Sequence, residues 1–244
     1  MPMLEAMQNI QMNVLAVPDL HIPYEHPDAL VFVETVDRHW FPGQNRVVCF
    51  LGDEIDAHNI GSRHMPDPNG RSPGDELEDA KLVLKKWYQS FPVARICSSN
   101  HTMRPWKRSY EAGLPKQFMR DVGEVLEAPE TWLWGDRWIF NGVVFEHGEN
   151  VSGPMGALNA AKQNQAPTVI GHLHSFGGVV HADNFHSKLY GMNTGCLIDV
   201  SKYAFAYAKN FRNKPTLGCG VIKNGNPYFV PMILNDQGRW AGAV

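Results

Sequence analysis

The fold class is indicated most clearly by residues 46–56, which read RVVCFLGDEID. The first six of these residues are typical of a short buried strand, which ends at a glycine before a group of acidic side chains. An apolar run followed by polar residues also occurs at 14–21 and at 93–101. Apolar residues at helical spacing lie between these runs, at 27–40 and 72–91, so the N-terminal half is predicted to alternate strands with helices.

The second half of the chain is richer in strand signals. Asn141-Gly142 separates two apolar runs and predicts a tight hairpin turn, and Asn224-Gly225 predicts another. A helix is expected over residues 154–163, followed by a strand at 168–170. Strand–helix alternation followed by hairpins is typical of a layered α/β domain whose later strands pair antiparallel. We expect one domain that spans residues 1–244.

Length and composition limit the classes of protein to which the chain can belong. Its 244 residues are 43% hydrophobic and 19% charged, which is typical of a globular protein and excludes a disordered, collagen-like or coiled-coil chain. No apolar run approaches the roughly 20 residues of a membrane span. A secretory signal begins with a positively charged region, but no Lys or Arg precedes Arg38. We therefore expect a cytoplasmic protein without a membrane partner. The net charge of −3 argues against general affinity for nucleic acid.

Polar side chains that can bind metal ions follow most of the predicted strands. These residues are Asp19, His21, Asp53, Asp56, Asn100, His101, His147, His172 and His174. Because the carboxyl ends of parallel strands meet at one edge of an α/β sheet, five loops distant in sequence can converge there. The set combines carboxylates, an amide and imidazoles without a thiolate, which suits Mn, Fe, Zn, Co or Ni better than calcium or a structural zinc site. A carboxylate that bridges two such ions about 3.5–4 Å apart would complete a two-metal site for phosphoryl transfer.

Five motifs in this order resemble those of the calcineurin-like metallophosphoesterase superfamily. They are D-x-H at 19–21, G-D-x-x-D at 52–56, N-H at 100–101, H-G at 147–148 and G-H-x-H at 171–174. The pattern is also similar to compact members encoded by bacteriophages, for which a location in the host cytoplasm would follow. The resemblance implies a layered α-β-β-α sandwich with mixed sheets, whose second sheet the C-terminal strands would fit. It also implies a dinuclear phosphoesterase that hydrolyses phosphate mono- or diesters by attack of a metal-bridging hydroxide, with manganese as the first choice of metal.

The resemblance assigns a role to each motif residue. It implies that one metal ion is held by Asp19, His21 and His174, that the second is held by Asn100, His147 and His172, and that Asp53 bridges them. His101 would face the substrate and assist the leaving group, which suits an imidazole that titrates near neutral pH, and Asp56 would orient or polarise it. A helix N-cap is the alternative role for Asp56. Glu54 would lie behind the ligands or at the surface.

The chain departs from the family pattern at the Asn-His motif. It has Ser99 and Thr102 where the family usually has a glycine before the motif and an acid after it. The metal-site asparagine and the catalytic histidine are retained. The change therefore bears on the hydrogen bonding of this loop and on substrate preference rather than on the metal centre.

Substrate contacts are predicted from position alone. Arg63 and Arg104 each follow a metal-bearing loop and are candidates for holding a phosphate oxygen. His58 and His64 lie just beyond the second motif, where they either reach the substrate or belong to a surface loop. Residues 104–120 interleave cations with aromatic rings, which suits a nucleotide or a single-stranded nucleic acid. An ordinary amphipathic helix that covers the domain explains the same pattern.

Two other functions compete with the phosphoesterase. A DNA or RNA nuclease of the same superfamily is favoured by residues 104–120 and by the basic C-terminal segment, whereas the slightly acidic chain is short for one with a large DNA-binding cap. The other is a catalytically silent metal-binding scaffold that binds partners. The undamaged set of ligand positions argues against the scaffold.

Overall fold

The computed structural model of this protein describes residues 12–60, 71–183, 185, 188–199, 201–202 and 214–244. The helices are α1 (Ala29–Trp40), α2 (Pro73–Ser90), α3 (Arg104–Glu111), α4 (Val122–Val125) and α5 (Gly156–Asn164). The strands are β1 (Asn13–Val17), β2 (Arg46–Phe50), β3 (Ala94–Cys97), β4 (Trp132–Gly135), β5 (Arg137–Phe140), β6 (Val143–Glu146), β7 (Thr168–Ile170), β8 (Gly177–His181), β9 (Tyr190–Thr194), β10 (Gly218–Lys223) and β11 (Asn226–Pro231). Short 3₁₀ helices cover His58–Ile60 and Lys116–Phe118. None of the helices in these ranges is long and apolar enough to cross a membrane.

The strands form two mixed sheets. The first has the order β11-β10-β1-β2-β3-β4, in which β1 to β4 run parallel and β10 and β11 are added antiparallel. The second has the order β5-β6-β7-β9-β8, in which β6, β7 and β9 run parallel between the antiparallel edge strands β5 and β8. The protein therefore belongs to the α/β class, as expected, with helices and two mixed sheets.

Two details of the strand pairing differ from the expectation. Strands β10 and β11 extend the first sheet instead of the second, with Val14 of β1 opposite Ile222 of β10. The later strands are also not all antiparallel, because α5 carries the chain from β6 to a parallel β7. A crossover helix returns the chain to the same end of a sheet, whereas a hairpin reverses its direction.

Alternating side chains divide the first sheet between two apolar layers. In β1, Val14 and Ala16 face the second sheet, while Leu15 and Val17 face the helices. The layer between the sheets also contains Cys49, Leu51, Phe145, Val169 and Met192. The layer beneath α1 and α2 contains Phe32, Val36, Phe50, Leu84 and Trp87. On the outer face of the second sheet, Ala157 and Ala160 of α5 pack against Ile170, so helices lie outside both sheets.

Local sequence accounts for the ends of several elements. Ser72 caps α2, since its Oγ accepts a hydrogen bond from the N–H of Asp75 and its own N–H donates to Asp75 Oδ2. Asn141 and Gly142 join β5 to β6 with φ angles of 51° and 76°, so the predicted hairpin is confirmed. The predicted turn at Asn224-Gly225 joins β10 to β11 in the same left-handed conformation.

Candidate metal centre

The loops after five strands meet at one edge of the molecule. They follow the parallel strands β1, β2 and β3 of the first sheet and the parallel strands β6 and β7 of the second. The side chains brought together are Asp19, His21, Asp53, Asp56, Asn100, His101, His147, His172 and His174. The structure therefore gathers all of the motif residues that the sequence predicts for one centre.

The first group of ligand atoms comes from Asp19, His21, Asp53 and His174, whose atoms lie within 4.8 Å of one another. His174 Nε2 is 2.9 Å from Asp19 Oδ2 and 3.2 Å from His21 Nε2. Asp19, His21 and Asp53 are fully buried. A buried set of oxygen and nitrogen donors such as this can hold a metal ion.

The second group comes from Asp53, His147 and His172. His147 Nε2 lies 3.2 Å from His172 Nδ1 and 2.7 Å from Asn100 Oδ1, so Asn100 adjoins this group. The other ring nitrogen of His147 lies 2.8 Å from the Leu51 carbonyl oxygen, to which it donates. The Nε2 atom of a neutral His147 therefore presents its lone pair to the group, as a metal ligand must.

Asp53 lies between the two groups and belongs to both. Its Oδ2 is 3.5 Å from His21 Nε2 and 3.4 Å from His147 Nε2. Its Oδ1 accepts a hydrogen bond from the backbone N–H of His101, and its own N–H donates to Ser99 Oγ. A carboxylate in this position can contact two cations at once, which fits the bridging role that stays a prediction for Asp53.

Burial and neighbouring charges shift the pKa of several ligands. Burial alone would raise the pKa of Asp19 and Asp53, but the adjacent imidazoles lower the pKa of both carboxyl groups. Burial alone would lower the pKa of His147, yet the negative charge of Asp53 raises that pKa to about 10. Burial and the charge of His147 lower the pKa of His172. The carboxylates are thus anionic ligands, whereas His147 must release a proton when a metal binds.

Three candidate ligands have a left-handed backbone conformation that residues other than glycine rarely adopt. The φ angle is 52° at His21, 49° at Asp53 and 61° at His172. Each such conformation costs about 1–3 kcal/mol and persists only where surrounding contacts hold it. Here the N–H of His21 donates to the Asp53 carbonyl oxygen, and the N–H of His172 donates to Asp19 Oδ2. A Cβ at Gly171 would lie 2.2 Å from Asp19 Oδ1, so glycine is what lets this loop approach the carboxylate.

Asp56 holds two imidazoles through one carboxylate oxygen. Its Oδ1 is 2.5 Å from His21 Nδ1 and 2.8 Å from His101 Nδ1, and the backbone carbonyl oxygen of Asp56 also lies 2.9 Å from His101 Nδ1. Burial would raise the pKa of Asp56, but the hydrogen bonds from both imidazoles lower it. The bond at Nδ1 turns His21 Nε2 toward the first group, and a carboxylate partner of this kind is the usual support of a metal-binding histidine.

His101 and Arg104 form one side of the centre, where α3 begins. His101 Nε2 is 2.7 Å from Nη2 of Arg104. Nη1 of Arg104 donates to the Asp56 carbonyl oxygen at 3.0 Å, which fixes the guanidinium group beside the imidazole. Burial would lower the pKa of His101, but the negative charges of Asp53 and Asp56 raise it. An imidazole and a cation are thus placed side by side at the edge of the centre.

Glu76 and His58 also support the centre. The carboxylate of Glu76 accepts the backbone N–H groups of His58 and Asn59, so it caps the 3₁₀ helix there and the N-cap alternative for Asp56 is wrong. Sequence reasoning missed Glu76, although it stands one helical turn before Ala80 on the apolar face of α2. His58 Nδ1 is 3.6 Å from Asp56 Oδ2, and its side chain is only 14% exposed. His58 therefore faces the centre and is not a surface-loop residue.

Glu54 is a buried neighbour of Asp53. Trp134 Nε1 donates to its Oε1 at 2.8 Å, and burial raises the pKa of Glu54 to about 7. The surface alternative for Glu54 is therefore wrong. Arg63 and His64, which the sequence offers as substrate contacts, lie outside the described residues.

A cleft of about 480 Å³ adjoins the second group. Asn100 and His147 of the centre line it, together with Lys107 of α3 and other charged residues that include Arg137 and Glu149. The lining carries both signs of charge and several amides. The cleft leaves room for the part of a ligand that extends beyond the second group.

No protein-family model matches this chain, and no curated protein matches its sequence. The centre is therefore defined by its own geometry, as a buried cluster of histidine and aspartate side chains that can hold a metal ion.

Proposed function

We propose that this protein is a metal-dependent phosphoesterase that hydrolyses phosphate mono- or diesters and has the sandwich fold of the calcineurin-like metallophosphoesterases. The observation that carries the proposal is the position of Asp53, whose carboxylate is shared by two groups of metal-ligand atoms. A shared carboxylate of this kind lets an enzyme hold two cations against one phosphate group. Two mixed sheets with helices outside them are consistent with that fold.

The donor atoms present suit divalent cations. Asp19, His21 and His174 would hold one ion, Asn100, His147 and His172 the other, and Asp53 would contact both. None of the four cysteines belongs to the two groups of ligand atoms, and mixed oxygen and nitrogen donors suit Mn, Fe, Zn, Co or Ni. Manganese is the first choice because of the family resemblance. When bound, the ions would lower the pKa of a water molecule and neutralise charge on the phosphate oxygens.

His101 is the residue that we assign to the leaving group. Asp56 accepts the proton of its Nδ1 atom, which fixes the orientation of the ring and leaves Nε2 as the atom that faces a substrate. A proton held at Nε2 can pass to the departing oxygen, a role suited to an imidazole. Asp56 therefore acts as a positioning residue for His101.

Arg104 would bind a non-bridging oxygen of the phosphate. Its Nη1 is anchored by the Asp56 carbonyl oxygen, while its Nη2 points at His101 Nε2. Guanidinium donors match phosphate oxygens well. An incoming phosphate would therefore replace the His101 ring as the acceptor of Nη2. Nε2 could then take up a proton from water and pass it to the leaving group.

A catalytically silent metal-binding scaffold is the competing proposal, and it belongs to a class of protein other than enzymes. A scaffold needs neither a complete ligand set nor an imidazole held beside it. Here every described motif residue is retained, and Asp56 holds His101 in a defined orientation. These contacts favour the enzyme.

The test is hydrolysis of a chromogenic phosphodiester and of the matching monoester. The protein is stripped of metal with a chelator and then reloaded with Mn²⁺. We expect turnover only after reloading, no turnover above background for Asp53→Asn, and a loss of about a hundredfold or more for His101→Ala. The ratio of diester to monoester turnover identifies the preferred ester.

Matched controls come from exposed residues outside the centre. Asp236→Asn and His39→Ala make the same chemical changes on the surface and should keep full activity. Turnover that survives chelation, or full activity of Asp53→Asn, would overturn the assignment of the metal centre. Absence of turnover on both esters with each of Mn, Fe, Zn, Co and Ni would favour the scaffold instead.

A further inference from the structure

Beyond Arg104, helix α3 and the turn that follows it form a surface outside the metal centre. Residues 110–118 are all exposed, and the rings of Tyr110 and Phe118 are 82% and 77% exposed. An amphipathic helix that covers the domain would bury these rings. That alternative holds for Trp106, which packs against the core, and is wrong for Tyr110 and Phe118.

The same segment concentrates positive charge. Residues 104–120 contain five basic side chains and one acidic side chain, whereas the whole chain carries a net charge of −3. Glu111, the acid, is 2.8 Å from Arg108 and neutralises it. Within the described part of the chain, Lys107, Lys116 and Arg120 have no carboxylate partner in an ion pair. This surface therefore offers cations to an anionic partner.

The cations and rings are held in place by the fold of the segment. Trp106 Nε1 donates to the Arg120 carbonyl oxygen at 2.9 Å, which ties the two ends of the segment together. The backbone N–H of Leu114 donates to the Ser109 carbonyl oxygen and closes the end of α3. The side chains are thus presented by an ordered support, so a partner does not have to order the whole segment on binding.

The surface is continuous with the metal centre. Helix α3 begins at Arg104, whose guanidinium nitrogen is 2.7 Å from His101 Nε2. One turn later, Lys107 lines the cleft of about 480 Å³ that Asn100 and His147 also line. A chain with a phosphate group at every link can therefore lie in the cleft and continue over α3.

We propose that residues 104–120 bind single-stranded nucleic acid and present its phosphodiester links to the metal centre. Bases would stack on Tyr110 and Phe118, while Lys107 and Lys116 would contact phosphates. Stacking requires the faces of the bases, which a duplex keeps hidden, so the exposed rings select single strands. The cleavage of the bound strand rests on the proposed phosphoesterase function, whereas the binding does not.

The test is the binding of a fluorescent single-stranded oligonucleotide to the full chain, followed by anisotropy. Two forms that should not cut the strand are used, which are Asp53→Asn with Mn²⁺ and the unaltered chain in chelator. Replacing both rings, Tyr110→Ser with Phe118→Ser, should weaken binding about tenfold or more, because stacking on one ring contributes that order of effect. Lys107→Gln with Lys116→Gln should reduce the slope of log K against log salt by about 1.4, as expected for two lost phosphate contacts on a single strand.

Controls of the same type come from other faces of the molecule. Leu82→Ser removes an apolar side chain that is 64% exposed on α2, and Arg38→Gln removes a cation on α1, and both should leave binding unchanged. Equal affinity for a duplex of the same length, or unchanged affinity of the ring variant, would overturn the proposal. The proposal would also be overturned if no oligonucleotide binds at low salt and the protein instead self-associates in a way that the ring variant abolishes.

Hydrolysis of the small chromogenic diester separates this proposal from the proposed function. The ring variant should keep that activity, because neither ring lies in the metal centre. Oligonucleotide binding that depends on the rings, in a protein that hydrolyses no ester, would leave this surface standing and remove the phosphoesterase. Ester hydrolysis without any oligonucleotide binding would support the phosphoesterase and overturn the proposal for this surface.

Discussion

The backbone N–H of Asp53 donates a hydrogen bond to Oγ of Ser99, at a distance of 2.7 Å. Ser99 is buried on the loop after β3, where the metallophosphoesterases that the motifs resemble usually have glycine. A Cβ at Gly52 would lie 2.5 Å from Ser99 Cβ, so the two loops are in close contact here. Ser99 thus gives the loop of the candidate bridging carboxylate an acceptor that a glycine side chain could not provide.

Ser99→Ala should destabilise the protein by about 1–3 kcal/mol, because it leaves the buried N–H of Asp53 without its acceptor. Urea unfolding in the presence of chelator measures this change without a contribution from bound metal. The exposed Ser152→Ala is the matched control, and its effect should stay within about 0.5 kcal/mol. Equal stability of the Ser99→Ala variant and the unaltered protein would contradict the role assigned to this hydrogen bond.

Asp56→Asn should lower the affinity for metal about 10- to 100-fold. The amide keeps the size of the side chain but loses the negative charge that supports His21 and His101. Substitution of the partners of metal-binding histidines typically lowers metal affinity by this amount. Competition with a chromophoric chelator measures the affinity, with Asp236→Asn as the control. If metal affinity is unchanged and only turnover falls, Asp56 acts on His101 alone.

Gly171→Ala should reduce the amount of bound metal, because the new Cβ would lie 2.2 Å from Asp19 Oδ1 and must displace this carboxylate. We also expect a loss of stability of about 1–3 kcal/mol from the overpacking. Elemental analysis of the purified protein and thermal unfolding measure the two effects. Gly74→Ala is the control, since the nearest atom to its added Cβ would be Ser72 Oγ at 3.5 Å. A variant with full metal content would show that Asp19 is not required.

The ion pair between Asp28 and Arg239 predicts a pH dependence of stability. The hydrogen bond from Arg239 holds the pKa of Asp28 at about 2, below its ordinary value of 3.8. Because the folded state favours the ionised carboxylate, the contribution is present above about pH 4 and is lost as the pH falls toward 2. Arg239 is 57% exposed, so solvent screens the pair and we expect only about 1 kcal/mol.

Asp28→Asn tests this dependence. Its free energy of unfolding should be lower than that of the unaltered protein by about 1 kcal/mol at pH 7, and the difference should shrink toward zero near pH 2. Combining it with Arg239→Gln should add little, because the two changes remove the same pair. A difference that is constant from pH 7 to pH 2 would contradict the assignment of the effect to the charge of Asp28.

The sequence predicted the residues of the centre because each of them follows a strand. Parallel strands end at the same edge of a sheet, so the positions of Asp19, Asp53 and His172 could be inferred from short apolar runs. The hairpin turns were equally local, since Asn-Gly favours the left-handed backbone that the turn needs. The structure confirms the hairpin turns and brings the predicted side chains together, whereas their roles in binding metal stay predictions.

The rest depended on contacts between distant segments. Which sheet β10 joins is decided by its pairing with β1, in which Val14 lies opposite Ile222, and nothing in residues 218–231 specifies that partner. Glu76 lies on the apolar face of α2, but helical spacing does not identify its partner, which is the 3₁₀ helix that it caps. Likewise, helical spacing placed Tyr110 on one face of α3 but could not tell whether any segment covers that face.

The two sheets contribute separate halves of the candidate metal centre. Asp19 follows a strand of the first sheet and His174, in the same group of ligand atoms, follows a strand of the second, 155 residues further along the chain. Under the proposed function, a bound ion would therefore cross-link the sheets and close a very long loop, which restricts the unfolded chain much as a disulfide does. Metal supply would then govern the lifetime of the molecule against proteases as well as its turnover, so starvation for metal would remove the enzyme and not merely silence it.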